Sequence, residues 1–241
     1  MNNLIVTTEQ QGVFTITLNR THKKNALNEQ MYRDLCKYFQ YAQNTQHIHC
    51  LVIRGDENCF CAGNDLKDFL QSSDKEDLIA LDFIKILANF NKPLVAAVAG
   101  VAVGIGTTLL LHCDMVIAAK NAKFKLPFAQ LGLCPEAGSS LLLSRLIGQN
   151  LAFELMVLGK GFDVQKAYQY GLVNEVCQPD ELLNMTAKIA ETIAALPSDA
   201  VITSKRLIRQ STQAMKDEAT EFSRLIKTPE CKNILAQFFQ T

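Results

Sequence analysis

One carboxylate has neighbours that could turn it into a base. In Leu131-Gly132-Leu133-Cys134-Pro135-Glu136-Ala137-Gly138-Ser139-Ser140, Glu136 sits among apolar residues at the expected start of a helix. Left in water, it would do no more than complement the helix dipole. Buried, it would lose hydration, its pKa would tend upward, and it would suit a general base working near neutral pH. Two small-residue turns offer the complementary chemistry. Phe60-Cys61-Ala62-Gly63-Asn64-Asp65-Leu66 leads from an apolar strand into a helix expected to begin at Asp65. Gly100-Val101-Ala102-Val103-Gly104-Ile105-Gly106-Thr107-Thr108-Leu109 leads from a buried strand into an apolar helix. Backbone amides at such junctions lack helical partners and can hold a developing negative charge. Taken singly, each turn is equally what a capped helix or tight helix-on-sheet packing would require.

Other chemical arrangements are incomplete. Gly104-x-Gly106 is followed by Leu109 where a dinucleotide fingerprint needs its third glycine, Asp114 comes too early, and no Gly-Lys-Ser/Thr completes a P-loop. Ser139 and Ser140 lack the G-x-S-x-G elbow, and His22, His47, His49 and His112 are not placed for a triad. His112 reads as a satisfied core or boundary residue. The eight cysteines include no C-x-x-C pair, so no metal site is expected, and Cys59 and Cys61 alternate in a strand as packing residues.

The chain that must position these groups has 241 residues, enough for one large domain or a core with an appendage. Its 24 Lys+Arg balance 24 Asp+Glu, which removes the long-range attraction to phosphate backbones, so no nucleic-acid partner is expected. The apolar stretch 94–111 is divided by Gly100, Gly104 and Gly106, which argues against a membrane helix. Neither a secretory signal at the first residues nor a peroxisomal Ser-Lys-Leu type address at the last is visible, and a cytoplasmic protein with reduced thiols is expected.

Alternation around Gln11-Gly12 predicts an opening hairpin, and Leu27, Met31, Leu35, Phe39 and Ala42 recur at helical spacing behind an Asn28 cap. Short apolar runs then come in pairs, at 50–53 with 59–62, 94–99 with 101–103, and 115–119 with 122–126. Such pairs predict an α/β or α+β core with strands buried on both faces. From about Ser139 the chain becomes helical, and a last helix is expected behind Thr228-Pro229-Glu230 with Cys231, Ile234, Leu235, Phe238 and Phe239 on one face.

In combination and in order, Asn25-Ala26-Leu27, the Phe60 to Leu66 turn, Lys92-Pro93-Leu94-Val95-Ala96 and Gly104-Ile105-Gly106 strongly resemble the crotonase (enoyl-CoA hydratase/isomerase) superfamily. Cys113-Asp114-Met115-Val116-Ile117-Ala118, Leu131-Gly132-Leu133 and Gly171-Leu172-Val173 continue the match over nearly the whole chain. The resemblance implies an α/β fold, a ββα spiral core over residues 1–190, and a helical trimerisation region over 191–241, giving a homotrimer or a dimer of trimers. It implies an acyl-CoA thioester substrate and no separate cofactor. By position, the amides of Asn64 and Ile105 become the oxyanion hole, while Ala26, Leu27, Ala62, Gly63, Asp65 and Leu66 surround CoA. Lys23 and Lys24 could approach its phosphates, or simply form a solvated basic turn.

The sequence departs from hydratases at both of their catalytic glutamates, which here are Thr108 and Phe128. Glu136 instead matches the single glutamate of Δ3,Δ2-enoyl-CoA isomerases, whose branch with an Asn-Asp-Leu turn is the nearest in pattern. The expected activity is therefore double-bond transposition in an enoyl-CoA with Glu136 as proton shuttle. A non-catalytic acyl-CoA-binding scaffold and a CoA thioester hydrolase are the alternatives.

Overall fold

The computed structural model describes residues 3–72, 78–209, 219–220 and 222–237. The chain opens with the expected hairpin, β1 (Ile5–Gln10) and β2 (Val13–Leu18), which pair antiparallel around left-handed Gln11 and Gly12. Helix α1 (Glu29–Asn44) follows, its first turn capped by Asn28 Oδ1, which accepts from the Met31 amide at 3.0 Å. Its periodic Met31, Leu35, Phe39 and Ala42 are all buried. Phe39 meets Phe83 edge-on at 5.4 Å, so truncating it to alanine would cost about 3–5 kcal/mol.

Three successive chain segments then each give one strand to each of two sheets. They are β3 (Cys50–Arg54) with β4 (Cys59–Cys61), β5 (Leu94–Val98) with β6 (Val101–Val103), and β7 (Met115–Ala119) with β8 (Lys123–Lys125). The six-stranded sheet runs β1-β2-β3-β5-β7-β10 and the four-stranded sheet β4-β6-β8-β9, where β9 is Phe162–Asp163 and β10 is Glu175–Cys177. Apart from the hairpin and the β8–β9 pair, the pairings are parallel, which gives the α/β spiral of ββα units.

Apolar runs in the central strands follow from burial on both faces. Leu51 and Ile53 of β3 join the main core with α1, whereas Cys50 and Val52 face a second core beneath α8 (Leu182–Ala194). The position expected for a domain boundary, after residue 190, lies inside that continuous helix. Thr228 caps the last described helix (Pro229–Gln237) by accepting from the Cys231 amide, and Cys231 is buried. The side chains of Ile234 and Leu235, and residues Phe238 and Phe239, lie outside the described set. Among the described residues no helix is long and apolar enough to cross a membrane, and no group of three or more His, Cys, Asp or Glu side chains could hold a metal ion.

Candidate active site

The two small-residue turns are brought together by strand pairing. β4 and β6 lie parallel, with Cys59 opposite Val101 and Cys61 opposite Ala102, so the 62–64 and 104–105 turns leave the sheet side by side. Gly106, in the short helix α4 (Ile105–Thr108), fixes how closely they approach. A Cβ there would stand 2.4 Å from the Cys61 carbonyl oxygen, a contact only glycine avoids.

Both amides are aimed by their own peptide planes. The Gly63 carbonyl accepts from Leu27 N at 2.8 Å, and in a trans peptide the N–H on the same plane, that of Asn64, must point the opposite way. The Gly104 carbonyl likewise accepts from Thr107 and Thr108, at 2.8 and 2.9 Å, which turns the Ile105 N–H outward from the helix start. Among the described residues neither amide donates to a protein acceptor. Asn64 and Ile105 face one cavity of about 250 Å³ whose apolar walls include Leu66, Val103, Phe128, Leu133 and Phe222. A larger hollow of about 910 Å³ beside Arg54, Asp56 and Asp180 includes neither amide.

The carboxylate arrives on a separate loop. Glu136 is only 3 % exposed, and its Oε1 accepts from the Thr108 hydroxyl at 2.5 Å. Burial, and to a smaller extent the Glu136 charge, raises the pKa of both Cys61 and Tyr32, and Cys61 is pushed up to about 12. The loop is strained into place. Ala137 has φ +56°, unusual for a residue with a Cβ, and Gly138 has φ +70°. These left-handed residues delay the helix start, so α5 spans Ser139–Ile147 and Glu136 stands ahead of it rather than in its first turn.

His112 holds the strained segment. Burial, which outweighs the hydrogen bond to Ala137, pushes its pKa down to about 4, so the ring is neutral at pH 7. Its Nε2 lies 2.6 Å from the Ala137 carbonyl oxygen and must carry the proton to donate. Behind it, the Arg209 guanidinium donates to the His112 carbonyl, and Asp114 pairs with Arg209 at 3.0 Å and Lys205 at 2.8 Å. Residues 105–112 thus carry a cavity-facing amide at one end, the carboxylate's hydrogen-bond donor in the middle, and the loop's anchor at the other.

Of the sequence candidates, Ala62, Gly63, Asn64, Leu66 and Ile105 share the cavity lining. Leu27 lies behind the turn as the group that aims Asn64, and the Ala26 carbonyl accepts from Arg20 at 2.9 Å. Asp65 is committed elsewhere. Its Oδ2 pairs with Arg20 at 2.7 Å and its Oδ1 accepts from Lys67, the second residue of α2 (Leu66–Ser72). That helix begins one residue after the expected Asp65, which serves as its cap. Burial works against the Asp65 charge, but Arg20 and the cap amides outweigh it and lower the pKa. Thr108, Tyr32 and Phe222 were not singled out as site residues from sequence. Only Thr108 carried a signal, as the position of a missing glutamate.

Comparisons with known proteins identify the family. Residues 8–238 match the family model described as enoyl-CoA hydratase/isomerase. A probable enoyl-CoA hydratase from Rhizobium meliloti (strain 1021) is 35 % identical, covering 95 % of this chain and 93 % of that protein. Enoyl-CoA delta isomerase 2 from Rattus norvegicus is 33 % identical over 97 % of this chain and 63 % of its own length. The crystal structure of an enoyl-CoA hydratase/isomerase from Pseudoalteromonas atlantica T6c superposes with a TM-score of 0.93 at 37 % identity, covering 99 % of this chain and 97 % of that one. Similar relatives thus carry the names of both reactions. With its ββα spiral, its paired amides and a match along nearly its whole length, the chain belongs to the enoyl-CoA hydratase/isomerase family, the crotonase superfamily of enzymes that process CoA thioesters.

Proposed function

We propose that the protein is a Δ3,Δ2-enoyl-CoA isomerase. The observation that carries this reading is one buried carboxylate, Glu136, hydrogen-bonded to Thr108 of the short helix that begins at Ile105, with a threonine and a phenylalanine at the two positions where hydratases place glutamates. Thr108 spends its hydroxyl on Glu136, and Phe128 is a buried apolar wall of the cavity. Neither can activate water.

In this mechanism Glu136 takes a proton from C2 of a 3-enoyl-CoA. The electron pair of the broken C–H bond delocalises through the thioester, and negative charge grows on its oxygen, where the Asn64 and Ile105 amides receive it. Loss of one such donor typically costs about 2.7–4 kcal/mol of transition-state stabilisation. The same carboxyl then returns the proton to C4, leaving a 2,3 double bond, with no net change of atoms or electrons. Residues 26–27 and 62–66 would receive CoA.

The C-terminal region, residues 191–241, would contribute to a trimer or a dimer of trimers. Exposed Leu146, Phe153, Val157 and Leu158 on α5 and α6 (Gln149–Val157) and just beyond offer a further apolar face to neighbouring copies. The described cysteines are free thiols, which suits the cytoplasm. The test is product identity. Incubated with 3-hexenoyl-CoA and with crotonyl-CoA, the protein should yield 2-trans-hexenoyl-CoA from the first and leave the second largely unhydrated. Free CoA as the product, or no reaction at all, would overturn the assignment.

A further inference from the structure

Tyr32 belongs to α1, far in sequence from either turn, yet its hydroxyl donates to Asn64 Oδ1. An amide oxygen can only accept, so the direction of this bond is fixed. The ring is 4 % exposed and packs against Phe83 with centroids 5.8 Å apart. Tyr32 therefore reaches the turn from a position locked by the main core. Asn64 has no other side-chain hydrogen bond among the described residues.

The turn needs such a second hold. Gly63, with φ +97°, precedes the Asn64 peptide and imposes little torsional resistance of its own. Leu27 fixes the carbonyl end of that peptide through the Gly63 oxygen, and Leu27 also accepts from Asp65 at 2.8 Å. These two bonds pin the peptides on either side of Asn64 from one side only and leave its side chain unheld. A hydrogen bond from a rigid, buried donor to the Asn64 side chain supplies the restraint from the opposite side.

We infer that Tyr32 is a positioning residue for the oxyanion hole, its hydroxyl clamping the Asn64 carboxamide so that the Asn64 amide stays aimed at the thioester oxygen. This rests on the reading of that amide as an oxyanion donor. The hydroxyl is suited to the task because burial, reinforced by the nearby Glu136 charge, keeps it protonated well above the usual tyrosine range. Tyr32 touches no reacting atom in this account, and its effect passes through Asn64.

The test compares wild type, Tyr32→Phe, Asn64→Ala and the double variant. Phenylalanine keeps the ring packing, and alanine at 64 keeps the amide, so circular dichroism and melting should report a folded protein in each. With 3-hexenoyl-CoA, Tyr32→Phe should lower kcat about tenfold with KM within about twofold, Asn64→Ala should stay within about tenfold of wild type, and the double variant should match the more impaired single one. A turnover-independent readout is the infrared carbonyl stretch of hexanoyl-CoA carrying ¹³C at the thioester carbon. Wild type should shift it to lower frequency, and Tyr32→Phe and Asn64→Ala should each lose the same part of that shift. Wild-type kcat and carbonyl shift in Tyr32→Phe would overturn the inference, as would losses that add in the double variant, since Tyr32 would then act elsewhere. If Tyr32→Phe fails to fold, the Asn64→Ala spectrum decides: an unchanged shift overturns the clamp and a reduced one upholds it. If the carbonyl shifts as described but wild type leaves 3-hexenoyl-CoA unchanged, the isomerase reading fails while the clamp stands.

Discussion

In the proposed mechanism the 62–64 and 104–105 turns contribute backbone amides, whereas the 133–138 loop contributes a single carboxylate. The turns are positioned by strand pairing and by the absence of a Cβ at Gly106, so most side chains there can change without removing a donor. The loop depends on side chains throughout: Thr108 on the carboxylate, His112 on the Ala137 carbonyl, and Arg209 with Asp114 behind it. One half of the site is held mainly by topology, with the Tyr32 bond to Asn64 added to it, and the other by a chain of individual hydrogen bonds. Single substitutions should therefore damage the loop far more than the turns.

The sharpest break of that comparison is Glu136→Gln, which keeps shape and hydrogen-bonding capacity but cannot accept a proton. Turnover of 3-hexenoyl-CoA should fall about a thousandfold, within the roughly 10²–10⁴ of a general base, while calorimetric acyl-CoA affinity stays near wild type because binding belongs to the turns. Near-normal turnover would remove Glu136 from the mechanism.

Next in size is a stability effect at the loop's anchor. His112 has its pKa lowered from 6.5 to about 4, so between those values the unfolded chain binds more protons than the folded one. Stability therefore rises with pH across that window, and acidification from 6.5 to 4 should remove about 3 kcal/mol through this group. His112→Gln should flatten that part of the urea-unfolding profile; an unchanged slope would mean that other groups cause it.

The turns were legible in the sequence because their chemistry is written in small residues at strand-to-helix junctions, and the order of these motifs carried the fold. Glu136 was legible as a residue type in an apolar setting. Its exact setting was not, because an alanine at 137 gives no sign of a left-handed backbone, so Glu136 was expected at the start of the helix that runs from Ser139 rather than ahead of it. Tyr32 reads in α1 as one more residue of a buried face, and its bond to Asn64 spans 32 positions that only the spiral closes. Thr108 could be noticed as a departure from hydratases, but its hydrogen bond to a residue 28 positions away could not. What escaped was long-range side-chain pairing.

A smaller effect sharpens the same contrast. Thr108→Val keeps the shape of the residue beneath the Ile105 turn and removes the hydroxyl that stabilises the charged form of Glu136. It should lower kcat/KM about tenfold, while Thr108→Ser restores it. Wild-type kcat/KM in Thr108→Val would mean that the Thr108 bond does not support the base.

The central claim is that one carboxylate beside two amides transposes a double bond but does not add water. The most direct measurement is the ratio of two rates in one preparation, isomerisation of 3-hexenoyl-CoA against hydration of crotonyl-CoA. Isomerisation should be faster by at least about a hundredfold, because neither Thr108 nor Phe128 can serve as the acid–base partner that water addition needs. Comparable rates would contradict the account and would require a water-activating group that the present assignment does not contain.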